Sequence, residues 1–227
     1  MDRARERGGQ GLNADSQPVR SLGVLGGTFD PVHHGHLRLA IECREVLGLS
    51  EVCLLPARLP NLRDEPGASA SDRLAMLYAA VQGTALRVDD RELAGSGITY
   101  TVETLAALRR EEPHTAICFI LGQDAFNGLP RWHRWQELLG FAHLVVATRP
   151  GYAPPQDEAL QDLLARAEVQ EVDALKTRLS GHILMQSIPL LPISATDLRA
   201  RVRAGRCLAA LTPPAVAEYI EQHRLYR

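Results

Sequence analysis

The sequence has 227 residues, of which 45% are hydrophobic, and this fits one ordinary α/β domain with a sizeable core. Its formal charge of -2 argues against general binding to nucleic acid, which usually requires a basic face. No apolar run reaches the roughly 18 residues of a membrane-spanning helix, and residues 1–18 lack the apolar centre of a secretory signal. We therefore predict a soluble, cytoplasmic protein with no membrane partner, with residues 1–20 as a disordered leader and 21–227 as the folded domain.

Short apolar runs alternate with helical patterns along the folded part of the chain. The predicted strands are residues 21–26, 51–55, 85–88, 115–121, 143–147 and 182–186. The predicted helices are residues 37–47, 71–82 with Ser71 as N-cap, 101–111, 132–139, an amphipathic segment before residue 179, 194–204 and 214–223. Residues 151–155 read as a turn-rich linker, and residues 89–92 as a solvated loop. This alternation predicts a Rossmann-like, doubly wound parallel sheet with helices on both faces and small C-terminal helices, and it places ligands at the carboxyl ends of the strands.

The loop between the first predicted strand and the first helix carries the most specific pattern. It reads Gly26-Gly27-Thr28-Phe29-Asp30-Pro31-Val32-His33-His34-Gly35-His36-Leu37. Its glycines allow backbone amides to approach phosphate oxygens, and the following helix, which should start near His34, directs its N-terminal dipole to the same place. His33 and His36 fall on one side of a first helical turn, where two imidazoles can donate hydrogen bonds to a phosphate.

Less specific interpretations of this loop are also possible. A glycine-rich turn with surface histidines would suffice for His-x-Gly-His alone. Zinc is disfavoured because no cysteine or third histidine lies at ligand spacing, so no metal ligand is assigned. A Walker A loop is excluded because its Gly-Lys-Ser/Thr ending is absent. The four cysteines (Cys43, Cys53, Cys118 and Cys207) form no close pair and are predicted to be buried thiols.

The string from Gly26 to Asp30 followed by His33-x-Gly-His36 resembles the signature of the nucleotidyltransferase superfamily with an H/T-x-G-H motif. Further matches are Ile193-Ser194-Ala195-Thr196-Asp197-Leu198-Arg199, Leu121-Gly122-Gln123-Asp124, Pro130-Arg131-Trp132, Thr99-Tyr100-Thr101 and the ending Leu225-Tyr226-Arg227. Together they are similar to bacterial nicotinate-nucleotide adenylyltransferases, from about residue 21 to the end of the chain.

The resemblance implies a reaction and a set of contacts. ATP and nicotinate mononucleotide would be the substrates, and Mg²⁺ would bind with ATP, held mainly by its phosphates and by water. His33 and His36 would be the catalytic residues, at the phosphates around the bond that breaks. ATP would also contact Gly26, Gly27, Thr28, Phe29, Asp124 at a ribose hydroxyl, and Ser194, Thr196 and Arg199 at the β- and γ-phosphates. Tyr100, Thr101, Trp132 and His133 would line the mononucleotide pocket.

Some alternatives remain at this stage. Ser194 and Asp197 also form an ordinary capping box, which needs no ligand. The loop at Leu59-Pro60-Asn61-Leu62-Arg63 departs from the family pattern, since Leu62 stands where a histidine usually falls. Rival functions are adenylyl transfer to nicotinamide mononucleotide or phosphopantetheine, or a regulatory nucleotide-binding protein without turnover. The sequence leaves the oligomeric state open.

Overall fold

The computed structural model describes residues 20–59, 65–95, 97–148 and 154–227. The predicted leader, apart from its last residue, lies outside the described residues. So do Pro60, Leu62 and Arg63 of the unusual loop, and most of the predicted linker after residue 150.

The described strands form one seven-stranded sheet in the order β3-β2-β1-β4-β5-β7-β6, and every pairing in it is parallel. Its members are β1 Ser21–Gly27, β2 Glu51–Pro56, β3 Leu86–Val88, β4 Ala116–Gly122, β5 His143–Thr148, β6 Glu168–Val169 and β7 Ile183–Ser187. The central strands are buried on both faces, which is why they read as unbroken apolar runs in the sequence. The predicted doubly wound α/β fold is confirmed.

Helices cover both faces of the sheet. They are α1 His34–Val46, α2 Ala70–Val81, α3 Arg91–Ala94, α4 Thr101–Glu111, α5 Gln123–Asn127, α6 Leu138–Phe141, α7 Glu158–Ala167, α8 Ala195–Arg203 and α9 Pro214–Gln222. Short 3-10 turns occur at Leu129–Arg131, Trp135–Glu137 and Val172–Lys176. None of these helices is long and apolar enough to cross a membrane.

The core consists of two apolar layers, one on each face of the sheet. Neighbouring residues of β4 alternate between them, with Ile120 in the layer that contains Met76 of α2 and Phe119 in the layer that contains Leu105 of α4. This alternation follows from the strand period of two. The sheet therefore separates α1, α2, α8 and α9 from α4 and α6.

The strand order reverses between β1 and β4. From β1 the chain moves outward to β2 and β3, and it then returns to the other side of β1 as β4. The loops that follow β1 and β4 consequently leave the sheet in different directions and open a crevice between them. The glycine- and histidine-rich loop follows β1, so it lies at this switch point.

Two local predictions were wrong. Residues 89–92 are not a solvated loop, because Asp89 and Glu92 are buried and α3 starts at Arg91. Glu92 accepts hydrogen bonds from Thr104 Oγ1 at 2.6 Å and Thr99 Oγ1 at 3.0 Å, and neither partner is visible from local sequence. No single helix spans 132–139, since Arg134 has a left-handed backbone (φ 49°) that interrupts it.

The cap of α2 and one cysteine also differ from prediction. Ser69, not Ser71, is the N-cap, and its hydroxyl accepts from the Asp72 amide at 3.1 Å. Cys207 is exposed, whereas the other three cysteines are buried as predicted.

A buried histidine lies at the start of β5, far from the switch point. The ring of His143 is fully buried; its Nδ1 accepts from the His182 amide at 3.1 Å. Its Nε2 therefore carries the proton and donates to the Arg178 carbonyl at 3.0 Å. Burial lowers the pKa of His143 to about 4, with the nearby His182 and Arg109 adding to the effect.

We predict that this histidine makes the fold sensitive to acid. The unfolded chain binds the proton near the ordinary pKa of 6.5 and the folded chain only near 4, so the stabilisation is complete above pH 6.5 and is lost as the pH falls towards 4. The loss should reach about 2–3 kcal/mol at pH 4. Urea unfolding across this range should show a shallower dependence on pH for His143→Gln than for wild type. His114→Gln, at an exposed histidine, is the control, and equal slopes in all three proteins would contradict the prediction.

Candidate active site

The loop after β1 folds back tightly on itself. Phe29 has a left-handed backbone (φ 50°), and its ring is 1% exposed. A side chain at Gly27 would lie 3.0 Å from that ring, so the glycine is required by close approach. Phe29 was assigned to ATP binding from the sequence; with its ring buried, only its backbone can face a ligand.

His33 and His36 are brought together as predicted. His33 is the N-cap residue of α1, and His36 lies in the first turn. Their rings stack with centroids 3.7 Å apart, and the His33 amide donates to His36 Nδ1 at 3.3 Å. Because His36 Nδ1 accepts, the proton of its neutral ring is on Nε2. A side chain at Gly35 would lie 3.0 Å from the His33 ring, so this glycine makes the stack possible.

Burial decides the charge state of His33. The residue is 5% exposed, and burial lowers its pKa to about 4. His33 is therefore a neutral imidazole at physiological pH, which supplies a hydrogen bond and no net charge.

The positive charge at the site comes from Arg199 of α8. Its Nη1 donates to the main-chain carbonyl of Asp30 at 2.7 Å, and its Nη2 donates to Thr196 Oγ1 at 3.3 Å. Ser194 caps α8 by accepting from the Asp197 amide at 3.1 Å, so the predicted capping interaction is present. The side chains of Ser194 and Thr196 lie at an exposed helix start, where unpaired amides favour anions. The structure thus joins two sequence motifs that are about 170 residues apart.

Asp30 is the residue in this loop whose role sequence reasoning missed. It is 4% exposed, and its carboxylate accepts from the amides of Gly67 at 2.7 Å and Ala68 at 3.1 Å, and from the Tyr226 hydroxyl at 2.7 Å. Arg199 Nη1 lies 3.5 Å from its Oδ2. A charged residue inside an otherwise apolar and glycine-rich motif was the available signal, because a buried carboxylate needs several donors.

The second group of predicted residues lies at the start of α4 and in the segment that follows β4. Asp124 is exposed in the first turn of α5. Tyr100, which precedes α4, contacts His133 with ring centroids 4.3 Å apart, and Thr101 is the first residue of that helix. The half-buried Trp132 packs edge-on against Phe119 of β4 at 6.2 Å.

Phe119 of β4 lies close to both groups of predicted residues. A side chain at Gly26 would meet the Phe119 ring at 3.3 Å, so Phe119 lies between the glycine loop and Trp132. In the described parts of the chain, no group of three or more His, Cys, Asp or Glu residues could hold a metal ion.

Comparison with known proteins identifies the family. A family model described as Cytidylyltransferase-like matches residues 24–201. A protein of Aeromonas hydrophila named "Probable nicotinate-nucleotide adenylyltransferase" is 48% identical over 207 residues, covering 91% of this chain and 97% of its own. Proteins of the same name from Cellvibrio japonicus and Pseudomonas putida are 46% and 45% identical; they cover 91% and 93% of this chain, and 99% and 93% of their own.

The chain belongs to the nicotinate-nucleotide adenylyltransferase family. Solved structures share the fold of this family member. Plasmodium falciparum nicotinic acid mononucleotide adenylyltransferase, complexed with NaAD, superimposes with a TM-score of 0.70 at 18% identity, covering 91% of this chain and 97% of that one. A putative nicotinate-nucleotide adenylyltransferase from Vibrio parahaemolyticus gives a TM-score of 0.60, covering 92% and 96%.

Arg73 of α2 is a second residue of this adenylyltransferase that sequence reasoning missed. Its side chain is 1% exposed and donates to three main-chain carbonyls, those of Thr28 at 2.8 Å, Ala57 at 2.7 Å and Arg58 at 2.9 Å. Burial lowers its pKa, while Asp30 raises it. Arg73 therefore ties the loop after β1 to the loop after β2.

We predict that Arg73→Met destabilises the protein by about 3–5 kcal/mol, because three part-buried carbonyls lose the charged donor that the buried Arg73 supplies. Arg73→Lys should recover part of this loss, since one ammonium cannot span all three acceptors. Arg38→Met, which removes an exposed arginine of α1, is the control and should change stability by less than about 1 kcal/mol. Urea unfolding measures all three, and a loss for Arg73→Met no larger than that of the control would contradict the assignment.

Proposed function

We propose that the protein transfers the AMP part of ATP to nicotinate mononucleotide, giving nicotinate adenine dinucleotide and pyrophosphate, a step in NAD biosynthesis. The observation that carries the proposal is the stacked His33–His36 pair on a glycine loop at the switch point, joined through Asp30 to Arg199. The names of relatives at 45–48% identity support the same reaction.

The chemistry suits a site with cations and amide donors and without a general base. A 5′-phosphate oxygen of the mononucleotide attacks the α-phosphorus of ATP, and the bond to the β-phosphate oxygen breaks. The attacking oxygen is already anionic near pH 7, so alignment and charge stabilisation supply most of the catalysis. ATP is used as its magnesium complex, with the metal held by phosphates and water.

The cytoplasmic location expected from the sequence stays a prediction.

The residues of the β1 loop and those of α8 contact different phosphates of ATP. His36 donates from Nε2 to a phosphate oxygen whose charge grows in the transition state, and neutral His33 supports it from the stack. The backbone from Gly26 to Phe29 approaches the phosphates closely. Arg199, with Ser194 and Thr196, holds the β- and γ-phosphates that leave as pyrophosphate.

The residues at the start of α4 and after β4 bind the nucleosides. Asp124 accepts from a ribose hydroxyl of the adenosine. The pyridine ring stacks on Trp132, beside the contacting rings of Tyr100 and His133. Its carboxylate accepts from backbone amides near Thr101 and His133, which repel the NH₂ group of a nicotinamide ring.

The nearest alternative substrate, nicotinamide mononucleotide, differs only in that group and gives the test of the proposal. We predict that kcat/KM, measured by pyrophosphate release, favours the acid over the amide, because the amide would set donor against donor. Trp132→Ala should weaken both mononucleotides alike, since stacking does not distinguish them. Equal values for the two mononucleotides or a preference for the amide would reject this specificity, and pantetheine phosphate as the better acceptor would reject the function.

We also predict that His36→Ala lowers kcat by about 100–1,000-fold while the protein stays folded, because a preorganised donor to the transition state is lost. His34→Ala is the matched control, as it removes the neighbouring imidazole of the same loop and should keep most of the activity. Circular dichroism checks the fold of both variants. Near-normal turnover by folded His36→Ala would remove this residue from the catalytic set.

A further inference from the structure

The last residues of the chain return to the nucleotide loop. After α9, Arg224 and Tyr226 both adopt left-handed backbones (φ 52° and 63°), which turn the chain sharply. Tyr226 is 8% exposed, and burial together with Asp30 raises its pKa. The α9 helix itself is bound to α2 by a separate contact, in which the Tyr219 hydroxyl donates to Asp72 Oδ1 at 3.0 Å.

The Tyr226 ring packs beside the residues that surround Asp30. A side chain at Gly67 would lie 3.3 Å from this ring and 3.5 Å from Cδ of Arg199, so Gly67 packs closely against both. The Tyr226 hydroxyl donates to Asp30 Oδ1 at 2.7 Å. The C-terminus, the 67–68 backbone and α8 thus meet at one carboxylate.

The donors around Asp30 affect how strongly its carboxylate attracts the Arg199 guanidinium. Tyr226 and Ala68 donate to Asp30 Oδ1, and Gly67 donates to Oδ2, so the carboxylate is satisfied by neutral donors. Arg199 Nη1 forms an ion pair with Oδ2 at 3.5 Å and a shorter hydrogen bond, of 2.7 Å, to the main-chain carbonyl of Asp30. Without the tyrosine hydroxyl, a buried carboxylate short of a donor draws the guanidinium closer and strengthens this ion pair, which then competes with phosphate.

We propose that Tyr226 is a positioning residue for ATP, which keeps the Asp30 carboxylate occupied so that Arg199 remains available to the leaving phosphates. The inference rests on the proposed function, in which Arg199 holds the β- and γ-phosphates. It predicts that a change at Tyr226 alters the binding of ATP and leaves the binding of the mononucleotide unchanged.

Two Tyr→Phe variants test it, because each removes one hydroxyl that bonds to an aspartate. Tyr226→Phe should raise the KM for ATP about fivefold, as expected for one net hydrogen bond, with kcat and the mononucleotide KM changed less than about twofold. Tyr219→Phe, whose partner is Asp72, should leave all three within about twofold of wild type. Thermal unfolding measures the loss of stability in each. Equal effects of both variants on the ATP KM, or none for Tyr226→Phe, would overturn the proposal.

A third measurement tests the route through Arg199. In an Arg199→Ala background, Tyr226→Phe should change the ATP KM less than about twofold, because the residue through which it acts is gone. If Tyr226→Phe still raises the ATP KM about fivefold in the Arg199→Ala background, the route through Arg199 is wrong. ATP binding by equilibrium dialysis repeats the comparison without turnover. A wild type that binds ATP but forms no dinucleotide would reject the proposed function, and the dialysis would still decide the role of Tyr226.

Discussion

The buried carboxylate of Asp30 is the interaction on which the nucleotide site depends. A charge withdrawn from water is tolerated only when enough donors surround it. Here the donors are the Gly67 and Ala68 amides and the Tyr226 hydroxyl, and Arg199 of α8 adds an opposite charge 3.5 Å away, so three separate parts of the chain are involved. The loop that presents His33 and His36 is therefore held in shape only when the whole fold is assembled. Arg73 of α2 also holds this loop, because it donates to the main-chain carbonyl of Thr28 at 2.8 Å.

The fold was largely predictable from the sequence, since strands buried on both faces leave an unmistakable pattern. The run 115–121 is the best case, and β4 covers Ala116–Gly122. Predictions failed where a distant partner or an unusual backbone decides the structure. Glu92 is buried because the hydroxyls of Thr99 and Thr104 donate hydrogen bonds to its carboxylate. The helix expected at 132–139 is broken by the left-handed backbone of Arg134. Neither effect is encoded in local hydrophobic periodicity.

The candidate site likewise has a part that could be predicted from the sequence and a part that could not. Its contiguous part, from Gly26 to His36, could be predicted because glycines, histidines and a helix start lie next to one another in the sequence. The residues that hold this loop could not, because Tyr226 is 196 residues from Asp30 and Arg73 is 45 residues from Thr28. The resemblance to a family pointed to the C-terminal Leu-Tyr-Arg ending without a physical reason for it. The structure supplies that reason, which is the buried hydroxyl at Asp30.

The fate of the ATP phosphates tests most directly whether this end of the sheet transfers AMP. The protein would be incubated with nicotinate mononucleotide and with ATP labelled at either the α- or the γ-phosphate, and the products separated. Direct attack at the α-phosphorus predicts that the α-label enters the dinucleotide, the γ-label enters pyrophosphate, and no label remains on the protein. Transfer of the γ-label to the mononucleotide, or α-label bound covalently to the protein, would contradict the account.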